Sequence, residues 1–170
     1  HDVKHGVGKM PCISCAIVDS IIRNTTIKRS YKEVAEKNKR FFIEDCTPNV
    51  AANLDLFFEY TSQILIKLSP MLDINAALKV LPQTKEIHVV AIKNEVKELL
   101  FILDKGFDKE PIIKAINLET KQPCFEYKTS DENKISVSYK NSLNFLYEPN
   151  AAVLKSGAFK SVASQFNLNK

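Results

Sequence analysis

Three short apolar runs in this sequence end on residues that can do chemistry. "CAIVD" ends on Asp19, "FFIEDC" runs into Glu44 and Asp45, and "ILIKLSP" carries Lys67 and closes on Ser69 and Pro70. Carboxylates in such places accept hydrogen bonds from amino groups, and a lysine meets a phosphate or the carboxylate of a bound ligand. Pro70 has no N–H to give a sheet and restricts the residue before it, so Ser69 would be held stiffly. If the three runs are neighbouring parallel strands, Asp19, Asp45, Lys67 and Ser69 gather at one rim of the sheet. That rim is the carboxyl end, where α/β folds keep their ligands. Plainer employments exist for each: Asp45 as a helix cap, Lys67 as a snorkelling strand-end lysine, Ser69-Pro70 as a turn.

Other reactive side chains are less patterned. Cys12 and Cys15 form "CISC", but a thioredoxin-like motif belongs between a strand and a helix, and here "CAIVD" itself reads as a strand. A zinc site would need two further ligands, and no second Cys pair or paired His motif supplies them. With Cys46 and Cys124, these read as reduced structural thiols of a cytoplasmic protein. His88 lies in an alternating run and reads as a packing or surface residue. Phe125 and Tyr127 share one face of a strand, where they either stack unpaired bases or pack against a helix.

The elements that would position these residues follow from periodicity. Residues 15–19, 41–46 and 64–68 read as short buried strands. Thr47-Pro48-Asn49 signals the start of a helix over about 50–61, with Leu54, Phe57, Phe58 and Thr61 near one face. Asp73 caps a second helix, "INAALKVL", ended by Pro82. The latter part changes style. Residues 86–93 and 97–104 are strands separated by only three positions, which predicts an antiparallel hairpin; "ELLFIL" also carries helix formers. Residues 112–119, 124–129 and 135–139 extend the β character, with "SDENK" as a turn. Asn150 caps a last helix running to Phe166, with Leu154, Phe159, Val162 and Phe166 on its buried face and Gly157 inside it.

The expected fold class is therefore α/β followed by α+β, with a boundary near residues 81–85. The 170 residues hold 45% hydrophobic and 26% charged side chains, an ordinary globular balance. No run approaches the ~18 apolar residues of a membrane helix, and the polar, glycine-containing start shows no signal peptide. The first residue is His1, as in a fragment or a processed chain. Net charge is +4, and residues 28–40, "KRSYKEVAEKNKR", hold six Lys/Arg against two Glu, a surplus of four. Such a stripe suits a phosphate backbone or simply a solvated helix.

The strings "FFIEDCTPNV", "ILIKLSPMLDI", "EIHVVAIKNEVKELLFIL" and "LYEPNAAVLKSGAFK" also resemble, in order and separation, bacterial RNA-methyltransferase-like proteins. That family has a class I S-adenosylmethionine-dependent methyltransferase domain, a ferredoxin-like domain and a C-terminal THUMP-like part. The resemblance covers about residue 41 to the end. It implies that residues 1–82 are the end of a Rossmann-like methyltransferase sheet, 83–146 the ferredoxin-like domain, and 147–170 the start of the THUMP-like region. It also implies S-adenosylmethionine as cofactor and RNA, tRNA or rRNA, as partner.

The departures from the family pattern are specific. Its cofactor-binding glycine loop is not matched; "GVG" near the start lacks a preceding strand. The family's Asp-Pro-x-Arg-Arg motif, which holds the target base, has "DSIIRN" as its nearest equivalent. Asp19 and Arg23 are kept there, and Ser20 and Ile22 replace the proline and first arginine. By the resemblance Asp19 and Arg23 are the catalytic candidates, and Asp45, Lys67, Ser69 and Pro70 line the substrate side. The chain alone is expected to be inactive. A non-catalytic RNA- or protein-binding scaffold is the competing expectation, and oligomeric state is left open.

Overall fold

The computed structural model describes residue 43 and residues 48–141 and 144–169. A 3-10 turn over Ala51–Asn53 leads into α1 (Leu54–Tyr60), followed by β1 (Gln63–Leu68) and α2 (Ile74–Val80). Then come β2 (Thr84–Ile92), β3 (Glu95–Asp104), β4 (Ile112–Leu118) and β5 (Phe125–Tyr127). Three short helices close the order: α3 (Thr129–Lys134), α4 (Ala151–Ser156) and α5 (Phe159–Gln165).

The five strands form one sheet in the order β1-β3-β2-β4-β5. β2 and β3 are the expected hairpin, so the helix formers of "ELLFIL" yield to strand pairing. Their two-residue loop, Lys93–Asn94, has positive φ at both positions (48° and 67°), as a type I′ turn requires. β2 is parallel to β4, and the other pairs are antiparallel.

The parallel arrangement expected for residues 64–68 is not found among the described residues. β1 runs antiparallel to β3, with Leu68 opposite Leu99 and Gln63 opposite Asp104. The other two expected strands, with Asp19, Arg23 and Asp45, lie outside the described residues. The boundary expected near residue 82 runs through this sheet, because β1 precedes it and the remaining strands follow. One core spans both sides, joining Ile66 and Leu68 to Phe101, Ile87 and Ile113.

Alternation on the strands sends one set of side chains inward: Leu99, Phe101 and Leu103 on β3, and Ile87, Val89 and Ala91 on β2, all fully buried. Helix α4 lies over β4, β2 and β3, and α1 packs on β1. Phe101, central and without exposure, fills this layer; losing such a ring costs about 3–5 kcal/mol.

A bulge at the start of β2 sets which face the polar residues take. Thr84 pairs with Leu103 and Glu86 with Ile102, so Lys85 is an extra residue. Thr84 stays inside, its hydroxyl donating to the Leu81 carbonyl at 2.7 Å. Glu86 and His88 are thereby turned to the outer face.

Several other expectations are corrected. "SDENK" is not a turn but most of α3, and residues 135–139 form no strand. β5 is three residues long, within the longer expected strand. The last helix is two helices. Gly157 adopts φ 87°, and its N–H reaches the Val153 and Leu154 carbonyls, which ends α4. The chain then turns, and the buried apolar side chains are Ala152, Val153, Ala158 and Ala163, while Leu154, Phe159 and Phe166 face outward. Small residues fit the close approach to the sheet; the large ones do not.

Candidate functional site

The loop after β1 holds the described candidates. Ser69, Pro70, Met71 and Leu72 form a reverse turn, with the Leu72 N–H donating to the Ser69 carbonyl at 3.1 Å. Pro70 occupies the second position, where its fixed φ suits the turn. The exposed Ser69 hydroxyl accepts from the Met71 N–H at 3.2 Å. The abrupt end of the strand is thus built as a turn, with the serine side chain bracing it. Asp73 follows and caps α2, accepting from the Ala76 N–H at 2.8 Å.

Lys67 lies two residues earlier, on the outer face of β1. Its ammonium meets Glu98 of β3 at 2.6 Å, with both side chains about 30% exposed (28% and 31%). A phosphate arriving at Lys67 would compete with that carboxylate. Lys67, Ser69 and Pro70 are therefore close along the chain, on a strand and the turn that ends it.

A second group approaches this turn from far along the sequence. The Lys155 ammonium, on α4, donates to the Leu72 carbonyl at 2.8 Å. Burial pushes the Lys155 amine below the ordinary lysine range, partly opposed by Asp73. No local sequence signal marks this contact, because 83 residues separate the partners.

The outer face of the sheet carries a charged cluster that the sequence reading also missed. Glu86 accepts from Lys114 on β4 and from His88 on its own strand, each at 2.8 Å. The Lys114 hydrogen bond first, then that of His88, holds the Glu86 carboxyl below its usual range; the same bond raises Lys114. Register places Lys67, Leu100, His88, Lys114 and Glu126 in one row across the sheet. The signal was available in Glu86 and His88, two positions apart on β2 with Ile87 between them. Yet the charges in this cluster largely cancel, so it does not make a field for phosphate.

Phe125 and Tyr127 do not offer their rings to solvent. Both are nine-tenths buried on the inner face, and the Tyr127 hydroxyl donates to the Ser156 carbonyl. Of the two alternatives, packing against a helix is the one built.

Neither turn nor row fits S-adenosylmethionine. The described glycines, Gly106 and Gly157, lie in a loop and at a helix end rather than in a phosphate- or nucleotide-cradling loop. Ser69, Lys67 and Lys155 each already hold a partner of this chain. Among the described residues no group of His, Cys, Asp and Glu could hold a metal ion, and no helix is long and apolar enough to cross a membrane.

Comparison with known proteins adds two findings. Residues 145–170 match a family described as a ferredoxin-like domain. This match begins where the THUMP-like portion was expected, and it takes in α4 and α5, of which α4 packs on the sheet. The chain is also similar to the crystal structure of a "putative methyltransferase" from Porphyromonas gingivalis W83. The two are 37% identical over 77% of this chain, with a TM-score of 0.71, and the chain spans 34% of that protein's length. No curated protein matches.

Proposed function

We propose that this chain supplies the substrate-side, RNA-orienting portion of an S-adenosylmethionine-dependent RNA methyltransferase. The observation that carries the reading is the 37% identity, at a TM-score of 0.71, to a protein named for methyl transfer. The ferredoxin-like match agrees with an accessory domain beside a Rossmann-like catalytic sheet. Methyl transfer needs a nucleophile aligned with the methyl group more than it needs acid–base help. In this reading Asp19 and Arg23 hold the base, and Asp45, Lys67, Ser69 and Pro70 border it. In this reading the cofactor is held by another part of a longer protein, and the residues described here serve the substrate. A cytoplasmic setting belongs to the same proposal.

A scaffold without catalysis is the second reading. It is favoured by the pairing of Lys67 with Glu98 and the use of Ser69 within its own turn. Calorimetric titration of S-adenosylmethionine into this chain should give no saturable heat. The full-length gene product should transfer a labelled methyl group to RNA. Stoichiometric cofactor binding by this chain overturns the division of labour, and RNA left unlabelled by the full-length protein selects the scaffold.

A further inference from the structure

The turn that ends β1 is held only loosely by its own residues. Its two internal bonds, from the Leu72 N–H to the Ser69 carbonyl and from the Met71 N–H to the Ser69 hydroxyl, are 3.1 and 3.2 Å, the long end of the range. Ser69 and Met71 are exposed, whereas Leu72 is buried. The Leu72 carbonyl lies just outside α2, whose first helical bond is accepted by the carbonyl of Asp73. No helix N–H serves the Leu72 oxygen, and a buried carbonyl requires a donor. Lys155 supplies one at 2.8 Å. Among the described residues no other hydrogen bond joins residues 69–72 to a separate element.

Helix α4, by contrast, is seated without Lys155. Ala152 and Val153 are buried, and the Ala151 N–H donates to the Asn94 side chain at 2.7 Å. Asn150, its cap, donates to Gln122 at 2.9 Å, and the Ser156 carbonyl at its other end accepts from the Tyr127 hydroxyl. Lys155 follows Ala152 by three positions, so it leaves the helix beside the buried face. The helix is the fixed partner and the turn is the adjustable one.

We propose that Lys155 is a positioning residue for the candidate substrate side. Acting through the Leu72 carbonyl, it passes the placement of α4 to the turn that carries Ser69 and Pro70. The role rests on the function proposed above, in which that turn borders the substrate. It adds that a helix of the segment matching the ferredoxin-like family sets the turn's geometry. Without the ammonium, the turn keeps two long local bonds and a buried carbonyl with no donor. A binding geometry held only part of the time weakens binding by that fraction.

Amide hydrogen exchange on this chain, followed by NMR, tests the tie itself. In Lys155→Met the Met71 and Leu72 amides should exchange about tenfold faster, the size expected for one lost charge-assisted bond. The Ala151 and Val153 amides of α4 should keep their rates. Lys155→Arg retains a cationic donor and should restore most of the protection. Unchanged exchange at Met71 and Leu72 overturns the proposal. Faster exchange spread evenly over α4 and the sheet also overturns it, since that marks a residue serving global stability. Labelled-methyl transfer to unfractionated RNA by the full-length gene product reads the consequence. There Lys155→Met should raise KM by about two- to tenfold and leave kcat unchanged. An unchanged KM, with or without a fall in kcat, overturns the proposal. A full-length protein without transfer activity sinks the function proposed above, and exchange alone then decides the role of Lys155.

Discussion

The ammonium of Lys155 donates to the carbonyl of Leu72 at 2.8 Å and fastens α4 to the turn that ends β1. The turn that holds Ser69 and Pro70 is thus set partly by a residue from the other end of the described chain. Burial is the first cause that depresses the Lys155 pKa. A lysine lowered in the folded state makes unfolding take up a proton between its folded value and the ordinary lysine value of 10.5. Stability should therefore rise with pH across that window. In Lys155→Met that part of the rise should vanish, which urea unfolding at stepped alkaline pH would reveal. Parallel curves for the two proteins would contradict it.

Glu86 predicts the opposite end of the pH scale. Its folded pKa lies below the ordinary glutamate value of 4.5, chiefly through Lys114 and then His88. The stabilisation is present above the unfolded value and is lost as pH falls through the folded one. Glu86→Gln should cost on the order of 1 kcal/mol near neutral pH, as expected for a partly exposed charge-assisted bond. The gap from the unaltered protein should close below about pH 4. Thermal melts across acid pH measure this directly.

Gly157 holds φ 87°, and a Cβ there would meet only the Tyr127 hydroxyl oxygen, at 3.9 Å. Backbone conformation rather than space demands glycine. Gly157→Ala should destabilise by about 1–2 kcal/mol. D-alanine at this position, introduced by ligation and unstrained at positive φ, should cost less than L-alanine. A loss as large for the D residue as for the L residue would mean that crowding decides instead.

Asn150 joins two tasks. Its side-chain oxygen accepts from the Val153 N–H at 3.0 Å, and its amide donates to Gln122 at 2.9 Å. Gln122 also receives Asn117, whose oxygen accepts from the Asn94 N–H, so the cap is wired to the hairpin turn. Asn150→Asp keeps the cap and removes the amide donor, whereas Asn150→Ala removes both. The alanine variant should lose about 1–2 kcal/mol and the aspartate variant less. Equal losses would show that the cap contributes nothing of its own.

Much of the local structure was legible. The Asp73 and Asn150 caps, the β2–β3 hairpin and the strand Ile112–Leu118 all follow from short-range rules. Residues 135–139 were misread because alternation alone does not make a strand without a neighbour to pair with. The last helix was misread because its large apolar residues suggested a buried stripe, whereas the sheet takes the small ones. The candidate site was legible as a turn, from Ser69 and Pro70, but the partners of Lys67 and Leu72 were not. They come from β3 and α4, and nothing within a few residues of either encodes the meeting.

The sequence by itself determined the helix starts at Asp73 and Asn150, where β1 stops, and that residues 28–40 are basic. Those features depend on hydrogen bonds and charges a few positions apart. Only the tertiary structure decided that β1 runs against β3, that Phe125 and Tyr127 point inward, and that Glu86 points out. Strand order and the Lys85 bulge settle these matters, and both arise from packing between segments distant in the chain.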